Sequence, residues 1–141
     1  MPDAGEIFAA SFTRAVGDTG YNDKFIQRFY DVFMGKSHDI ARLFKNTNMA
    51  AQKTMLHDSL HYLLEYYRTG VPNVHLRNIR KVHGEGGANI PRRFYELWLD
   101  SLLEAVRDND SQFDDDVERA WRRVMAPGIA YMIGNSESEE R

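Results

Sequence analysis

The sequence contains no cysteine, no long apolar run and no marked excess of basic charge. The absence of cysteine excludes disulfides, thiolate metal ligands and a cysteine nucleophile. No segment approaches the roughly 20 apolar residues that a membrane-spanning helix needs. Residues Met1 to Glu6 lack the basic start and the apolar run of a secretory signal. These absences predict a cytoplasmic protein that does not enter a membrane.

The charge balance also argues against two classes of partner. The 18 lysine and arginine residues and the 21 aspartate and glutamate residues give a formal net charge of -3. The basic residues are scattered along the sequence, so no footprint for nucleic acid or for an anionic membrane is visible. We expect neither partner.

Apolar residues are abundant, at 43% of the chain, beside 28% charged residues. This balance suits one soluble globular domain over residues 1–141, and a chain of this length buries a core without disulfides. The segment from Asn135 to Arg141 is polar and charged, and we expect it to form a flexible tail. The sequence is compatible with a monomer or a homodimer.

The apolar residues recur at intervals of three and four, and no alternating run bounded by turn residues predicts a strand. The predicted fold class is therefore all-α. Pro127 and Gly128 predict a kink in the last helix. Turn and capping residues divide the chain into seven predicted helices: Glu6 to Val16, Asn22 to Gly35, Asp39 to Phe44, Asn48 or Met49 to Arg68, Asn73 to His83, a sixth that begins near Pro91 and a seventh that begins near Asp114.

Two of the predicted helices carry residues suited to a planar, metal-containing cofactor. His83 shares a helix side with Leu76 and Ile79, which directs its imidazole towards apolar surroundings. Such a histidine is either a core residue or an axial metal ligand, and the local pattern leaves both readings open. Gln52 and Leu56 lie one helical turn apart, so an amide donor and an aliphatic group can face one cavity.

Two aromatic residues add to this set. Tyr30 lies in an apolar stripe with Phe29 and Phe33, where a buried hydroxyl needs a hydrogen-bond partner. That partner is either a ligand in a pocket or a backbone carbonyl. Phe44 ends the short third helix, where it either stacks on a planar ligand or fills the core. An iron porphyrin requires an axial imidazole, a flat apolar slot and control of the opposite face of the metal, and each has a candidate here.

The same residues give the chain its resemblance to the bacterial globins. Phe29-Tyr30, Leu43-Phe44, the run from Gln52 to Leu56 and the run from Arg80 to His83 follow the order and approximate spacing of that family. The similarity extends from about Phe8 to Ile133. It implies a globin fold of six to eight helices around one haem b group.

The resemblance implies a role for each candidate residue. His83 would be the proximal iron ligand and the metal-binding residue of the chain. Phe44, Leu56, Ile79, Tyr95 and Trp98 would contact the cofactor, with Phe94 as an alternative to Tyr95. Tyr30, Gln52 and Leu56 would form the distal wall, with Ala51 or Thr54 as alternatives to Gln52. A distal tyrosine with a glutamine resembles single-domain bacterial haemoglobins and implies tight, reversible binding of oxygen, and also binding of CO and NO.

Two further functions follow from the same resemblance. A gas sensor that signals to a partner protein is the first alternative, and nitric oxide dioxygenase or peroxidase chemistry, supported by a reductase in trans, is the second. Ser136 stands where the flavohaemoglobin pattern has a glutamate that supports the proximal histidine, which disfavours efficient dioxygenation. The chain is therefore expected to be an oxygen-binding protein more than an enzyme.

A second pattern points to different chemistry. His57 and His61 lie one turn apart and superficially match a zinc-protease motif in which Asp58 replaces the usual glutamate. His57 lies about 100° from the apolar face of its helix, as expected of a boundary or surface position. No third ligand is tied to the pair. We therefore interpret both histidines as surface residues.

Overall fold

The computed structural model describes residues 2–16, 23–83 and 90–139, without the side chains of residues 23, 83 and 134–139. This part of the chain contains seven helices and no strand, as the apolar spacing predicts. None of its helices is both long and apolar enough to cross a membrane. The helices are α1 (Ala4–Val16), α2 (Asp23–Gly35), α3 (His38–Leu43), α4 (Met49–Thr69), α5 (Val74–His83), α6 (Arg92–Asn109) and α7 (Asp115–Glu139).

Side-chain caps explain where several of these helices begin. Asp3 accepts a hydrogen bond from the backbone N–H of Glu6 at 2.8 Å, before the start of α1. Asn48, Asn73 and Asp114 accept equivalent bonds ahead of α4, α5 and α7. Each bond satisfies an N–H group that has no partner within its own helix. The helix starts therefore lie within two residues of their predicted positions.

Helix ends follow the same local chemistry. Gly70 caps α4 with a φ of 73°, a conformation that costs glycine little. Pro127 lies inside α7, which continues beyond it to Glu139 and past Asn135, the predicted start of the tail. The predicted turns at 17–20 and 84–87 and the side chain of Ser136 lie outside the described part of the structure.

The core forms where α2 packs on α6, and α1 and α4 pack on α7. Trp121 of α7 is fully buried, with its ring centroid 4.5 Å from that of Phe8. The predicted apolar stripe of α2 is buried throughout, from Ile26 to Phe33. In α4, the buried residues are Leu56, Leu60 and Leu63, as the periodicity predicts.

A buried polar network joins α1 to the C-terminal end of α6 and to α7. Asp110 accepts hydrogen bonds from the Ser11 hydroxyl at 2.6 Å and from Arg14 Nε at 2.6 Å. The Ser11 Oγ in turn accepts a bond from Trp121 Nε1 at 2.9 Å. Burial alone would raise the pKa of Asp110, but the bonds from Arg14, Ser11 and the backbone N–H of Gln112 lower it below its usual value. Asp110 therefore stays ionised inside the protein.

Candidate functional site

One apolar cavity lies between α4 on one side and α5 and α6 on the other. Its volume is about 360 Å³, within the range of cofactor and ligand pockets. Helix α2 closes one end, Leu43 of α3 borders the cavity, and Gly128, Ile129 and Met132 of α7 form part of the wall. Most of the lining is aliphatic or aromatic, and Tyr30, Thr47, Gln52, Ser59 and Tyr95 contribute hydroxyl and amide groups to it.

Seven of the eight predicted site residues line this cavity. Tyr30, Phe44, Gln52, Leu56, Ile79, Tyr95 and Trp98 come from five different helices or their ends. Phe94, the alternative to Tyr95, also lines it. Ala51 and Thr54, the alternatives to Gln52, do not line it and are exposed. The structure therefore brings seven of the eight predicted residues to one cavity.

The eighth residue, His83, ends α5, and its side chain lies outside the described part of the structure. The position can still be placed by helical register. Leu76, Ile79 and Val82 of the same helix all line the cavity. Residues four and seven positions apart share a helix face, so position 83 falls on the face that carries Ile79 and Leu76.

The aromatic residues fix the shape of the closed end. The Phe44 ring lies edge-on to Tyr30 at 5.7 Å and to Phe33 at 6.1 Å, measured between centroids. Trp98 lies edge-on to Phe29 at 5.9 Å. Edge-to-face contacts at these distances are favourable for aromatic pairs. They hold Phe44 and Trp98 as fixed apolar surfaces at the cavity wall.

The Tyr30 hydroxyl is the buried donor of the cavity. The residue is 2% exposed, and its hydroxyl donates to the backbone carbonyl of Gln52 at 3.3 Å. The carbonyl partner is the alternative that the sequence analysis kept open for this tyrosine. A distance of 3.3 Å exceeds the usual length of roughly 2.5 to 3.0 Å for an O–H···O bond. An acceptor placed inside the cavity can therefore compete with the carbonyl for this proton.

Tyr95 carries the second phenol hydroxyl at the cavity. Burial raises the pKa of the Tyr95 hydroxyl above its ordinary value. Because deprotonation is disfavoured, Tyr95 remains a neutral donor throughout the physiological range. It borders the cavity on the side formed by α6.

Several cavity residues were not identified from the sequence. Leu43, Met55 and Val82 line the cavity while being 41%, 38% and 61% exposed, so they form its mouth. Gly128 also lines it, and a Cβ atom added to this glycine would lie 2.0 Å from Leu63 Cδ2. A glycine within a helix signals such a close approach, but only the fold reveals the partner.

His57 and His61 have no third metal ligand beside them in the described part of the chain. No group of three or more histidine, cysteine, aspartate or glutamate residues in that part could hold a metal ion. His57 is 14% exposed and its Nδ1 lies 3.2 Å from Asp58 Oδ1. His61 contacts the Phe12 ring at 4.8 Å. The pKa of His61 is lowered, mainly by partial burial and to a smaller extent by the charge of the nearby His57. Neither histidine lines the cavity.

Comparison with known proteins identifies a structural relative. A crystal structure of a protein from Pseudomonas aeruginosa, described as structurally highly homologous to a human hemoglobin, superimposes with a TM-score of 0.84. It is 34% identical in sequence, and the alignment covers 94% of this chain and 98% of that chain. No protein-family model matches the chain, and no curated protein matches it.

Proposed function

From the premise that this chain belongs to the bacterial single-domain globins and has a haemoglobin-type fold, we propose that it binds oxygen reversibly in the cavity described above. A haemoglobin-like fold implies a haem cofactor, and we assign haem b. The observation that carries the proposal is that Tyr30, Phe44, Gln52 and the other predicted contact residues line one cavity.

The residues present fit a planar apolar cofactor. The lining is dominated by aliphatic and aromatic side chains, and its polar groups are few and separately placed. The exposed apolar residues at the mouth also support this fit, since a bound apolar ring would cover part of their surface. By the family resemblance, His83 would hold the iron, while Phe44, Leu56, Ile79, Tyr95 and Trp98 would contact the ring.

When bound, haem would supply an iron atom able to take up a diatomic gas, and His83 would hold that iron. The distal wall is assigned to Tyr30, Gln52 and Leu56. Leu56 is 4% exposed and keeps water from that side of the cavity. Tyr30 and Gln52 supply the donors that favour a gas carrying partial negative charge.

The proposed role of Tyr30 follows from its long hydrogen bond. The Gln52 carbonyl lies inside α4, where it also accepts the usual helical bond, so losing the tyrosine proton leaves it satisfied. The Gln52 carbonyl can therefore give up this proton to a bound gas at little cost. One buried donor stabilises an acceptor by about 1 to 3 kcal/mol. Oxygen gains more than carbon monoxide, which carries less negative charge.

Ultraviolet-visible spectra of the purified protein in ferric, ferrous and carbon monoxide forms test the assignment. We expect a strong Soret band and a free sixth site. In His83→Ala, haem should be lost or markedly loosened, whereas the matched variant His75→Ala should keep it, because His75 is exposed on α5 and stacks on Tyr62 instead of lining the cavity. Normal proximal ligation in His83→Ala would overturn the proposal.

Stopped-flow oxygen dissociation tests the distal assignment separately. In Tyr30→Phe the rate should rise at least severalfold, since a buried donor is removed, while carbon monoxide dissociation should change less. Tyr62→Phe is the control, because its ring lies outside the cavity. An oxygen dissociation rate unchanged in Tyr30→Phe would refute the role of this hydroxyl without touching the assignment of the cofactor.

A further inference from the structure

Arg80 lies about one helical turn before His83 and connects α5 to α7. The guanidinium carbon of Arg80, Cζ, lies over the ring of Tyr131, 4.4 Å from the ring centroid. A cation within about 6 Å of the centroid is attracted by the negative face of an aromatic ring. The contact therefore joins the helix that ends at His83 to α7.

The surroundings of Arg80 show what holds its side chain in this position. Among the residues that the structure describes, Arg80 forms no ion pair with a carboxylate, and its Nε atom is buried without a hydrogen-bond acceptor. A buried donor without an acceptor costs free energy. An arginine side chain is long enough to keep its charge in water instead. Its position against the ring therefore indicates an attractive contact that offsets this cost.

The Tyr131 ring is itself held in place by a third helix. Its centroid is 5.5 Å from that of Tyr66 on α4, and the two ring planes are inclined at 56°. Tyr131 is partly buried, and its hydroxyl forms no hydrogen bond within the described part of the chain. The nearby residues Ile129 and Met132 line the cavity. The aromatic face of Tyr131 is therefore a fixed surface beside the cavity wall, and Arg80 contacts this face.

The last turn of α5 has few other contacts that could fix its rotation. Ile79 is partly buried and Val82 is 61% exposed, and both line the cavity. Apolar contacts of this kind are non-directional, whereas a guanidinium over a ring face has a defined geometry. Position 83 lies about 60° around the helix axis from Arg80 and one turn further on. A contact that fixes Arg80 therefore also fixes position 83.

We propose that Arg80 is a positioning residue for the proximal ligand. Its contact with Tyr131 fixes the rotation of the last turn of α5, and thereby the direction from which His83 approaches the iron. This inference rests on the proposed function, in which His83 holds the haem. A ligand that is held in place before binding loses less freedom when it binds, and groups that orient a metal ligand also tune its bond to the metal. The contact should therefore strengthen haem binding and narrow the range of imidazole orientations.

Two series of variants test this role in the haem-bound protein. Arg80→Met removes the charge and keeps a long side chain, whereas Arg80→Lys keeps a charge. Tyr131→Leu removes the ring face, whereas Tyr131→Phe removes only the hydroxyl. Arg77→Met is the matched control, because Arg77 is exposed on the same helix and does not line the cavity. Resonance Raman spectra of the ferrous form give the iron–histidine stretching band, and transfer to apomyoglobin gives the rate of haem loss.

The variants that remove the contact should differ from those that keep it. In Arg80→Met and in Tyr131→Leu, the iron–histidine band should shift or broaden, and haem loss should accelerate by about threefold to thirtyfold, the factor that corresponds to a cation–π contact. The effects should not add in the double variant, since each change removes the same contact. Tyr131→Phe should match the wild type, and Arg80→Lys should lie between the wild type and Arg80→Met. Arg77→Met should change the rate of haem loss by less than about twofold.

An iron–histidine band of unchanged position and width in Arg80→Met would overturn the proposal, even with faster haem loss, because faster loss alone would show a purely structural role. A Tyr131→Phe variant that behaves like Tyr131→Leu would also overturn it, because the hydroxyl would then be responsible instead of the ring face. If Arg80→Met takes up no haem, the comparison of Tyr131→Phe with Tyr131→Leu decides.

The two proposals fail in different ways. A wild-type protein without a Soret band would refute the haem assignment. A normal wild-type spectrum, together with Arg80 and Tyr131 variants that match it in every measurement, would refute the positioning role alone.

Discussion

Replacement of Gly128 by alanine tests how tightly α7 must approach α4 at the cavity wall. A Cβ atom at this position would lie 2.0 Å from Leu63 Cδ2 and 3.4 Å from Leu63 Cγ. Because Leu63 is 6% exposed and also lines the cavity, its side chain can avoid the clash only by pressing on its packed neighbours or by moving into the space that the cofactor would occupy. The substitution is therefore an overpacking change at a residue that also lines the cavity.

Two effects of opposite sign set the magnitude. Alanine stabilises a helix interior by about 1 kcal/mol relative to glycine. Overpacking a core costs about 1 to 3 kcal/mol. Since the contact is far shorter than van der Waals distance, we expect the second effect to prevail and the free energy of unfolding to fall by about 1 to 2 kcal/mol. The displaced Leu63 side chain should also narrow the cavity and weaken haem retention.

Urea unfolding followed by circular dichroism gives the free energy, and competition with apomyoglobin gives haem retention. Gly35→Ala is the control, because a Cβ atom added there, at the end of α2, would meet no atom within 4 Å. It should leave stability unchanged or slightly raised. In a double-mutant cycle, Leu63→Ala should remove the penalty, with a coupling of about 1 kcal/mol or more. A Gly128→Ala protein as stable as Gly35→Ala, with no coupling to Leu63, would refute the close approach.

Two further predictions concern the buried network. The pKa of Asp110 is lowered in the folded state, so its ionised carboxylate stabilises the protein fully above the unfolded-state pKa, and this stability is lost as the pH falls through the folded-state pKa. Asp110→Asn should therefore be less stable than the wild type by about 3 kcal/mol at pH 7. Its free energy of unfolding should also fall less steeply with decreasing pH below about pH 4. A parallel pH profile in the two proteins would contradict this. Ser11→Ala removes the acceptor of Trp121 Nε1 and should cost about 1 to 3 kcal/mol in urea unfolding, and a loss below about 0.5 kcal/mol would show that the indole finds another acceptor.

The helices were predictable because their signals are local. Apolar spacing reports the buried face of a helix directly, as for Ile26 to Phe33, and capping residues such as Asn48 and Asp114 act within three positions of themselves. Tyr30 and Gln52 were predicted as site residues from their residue types and from their order along the chain. Their meeting at one cavity depends on helix packing, which local patterns do not encode.

The remaining features depend on contacts between distant positions. Ser11 and Asp110 are 99 positions apart, so no local pattern announces their hydrogen bond. Gly128 approaches Leu63 only because α7 packs on α4.

The composition of α5 has a consequence for the order in which this protein assembles. Between residues 74 and 82, Leu76 is the one side chain that is buried, while Val74 and Val82 are mostly exposed. A helix with so small an anchor is held weakly by the polypeptide alone. A ligand in the cavity would supply the apolar contacts that α5 lacks, so amide hydrogen exchange should slow most in this helix when the ligand binds. Binding of the occupant and the final folding of α5 would then be one coupled equilibrium.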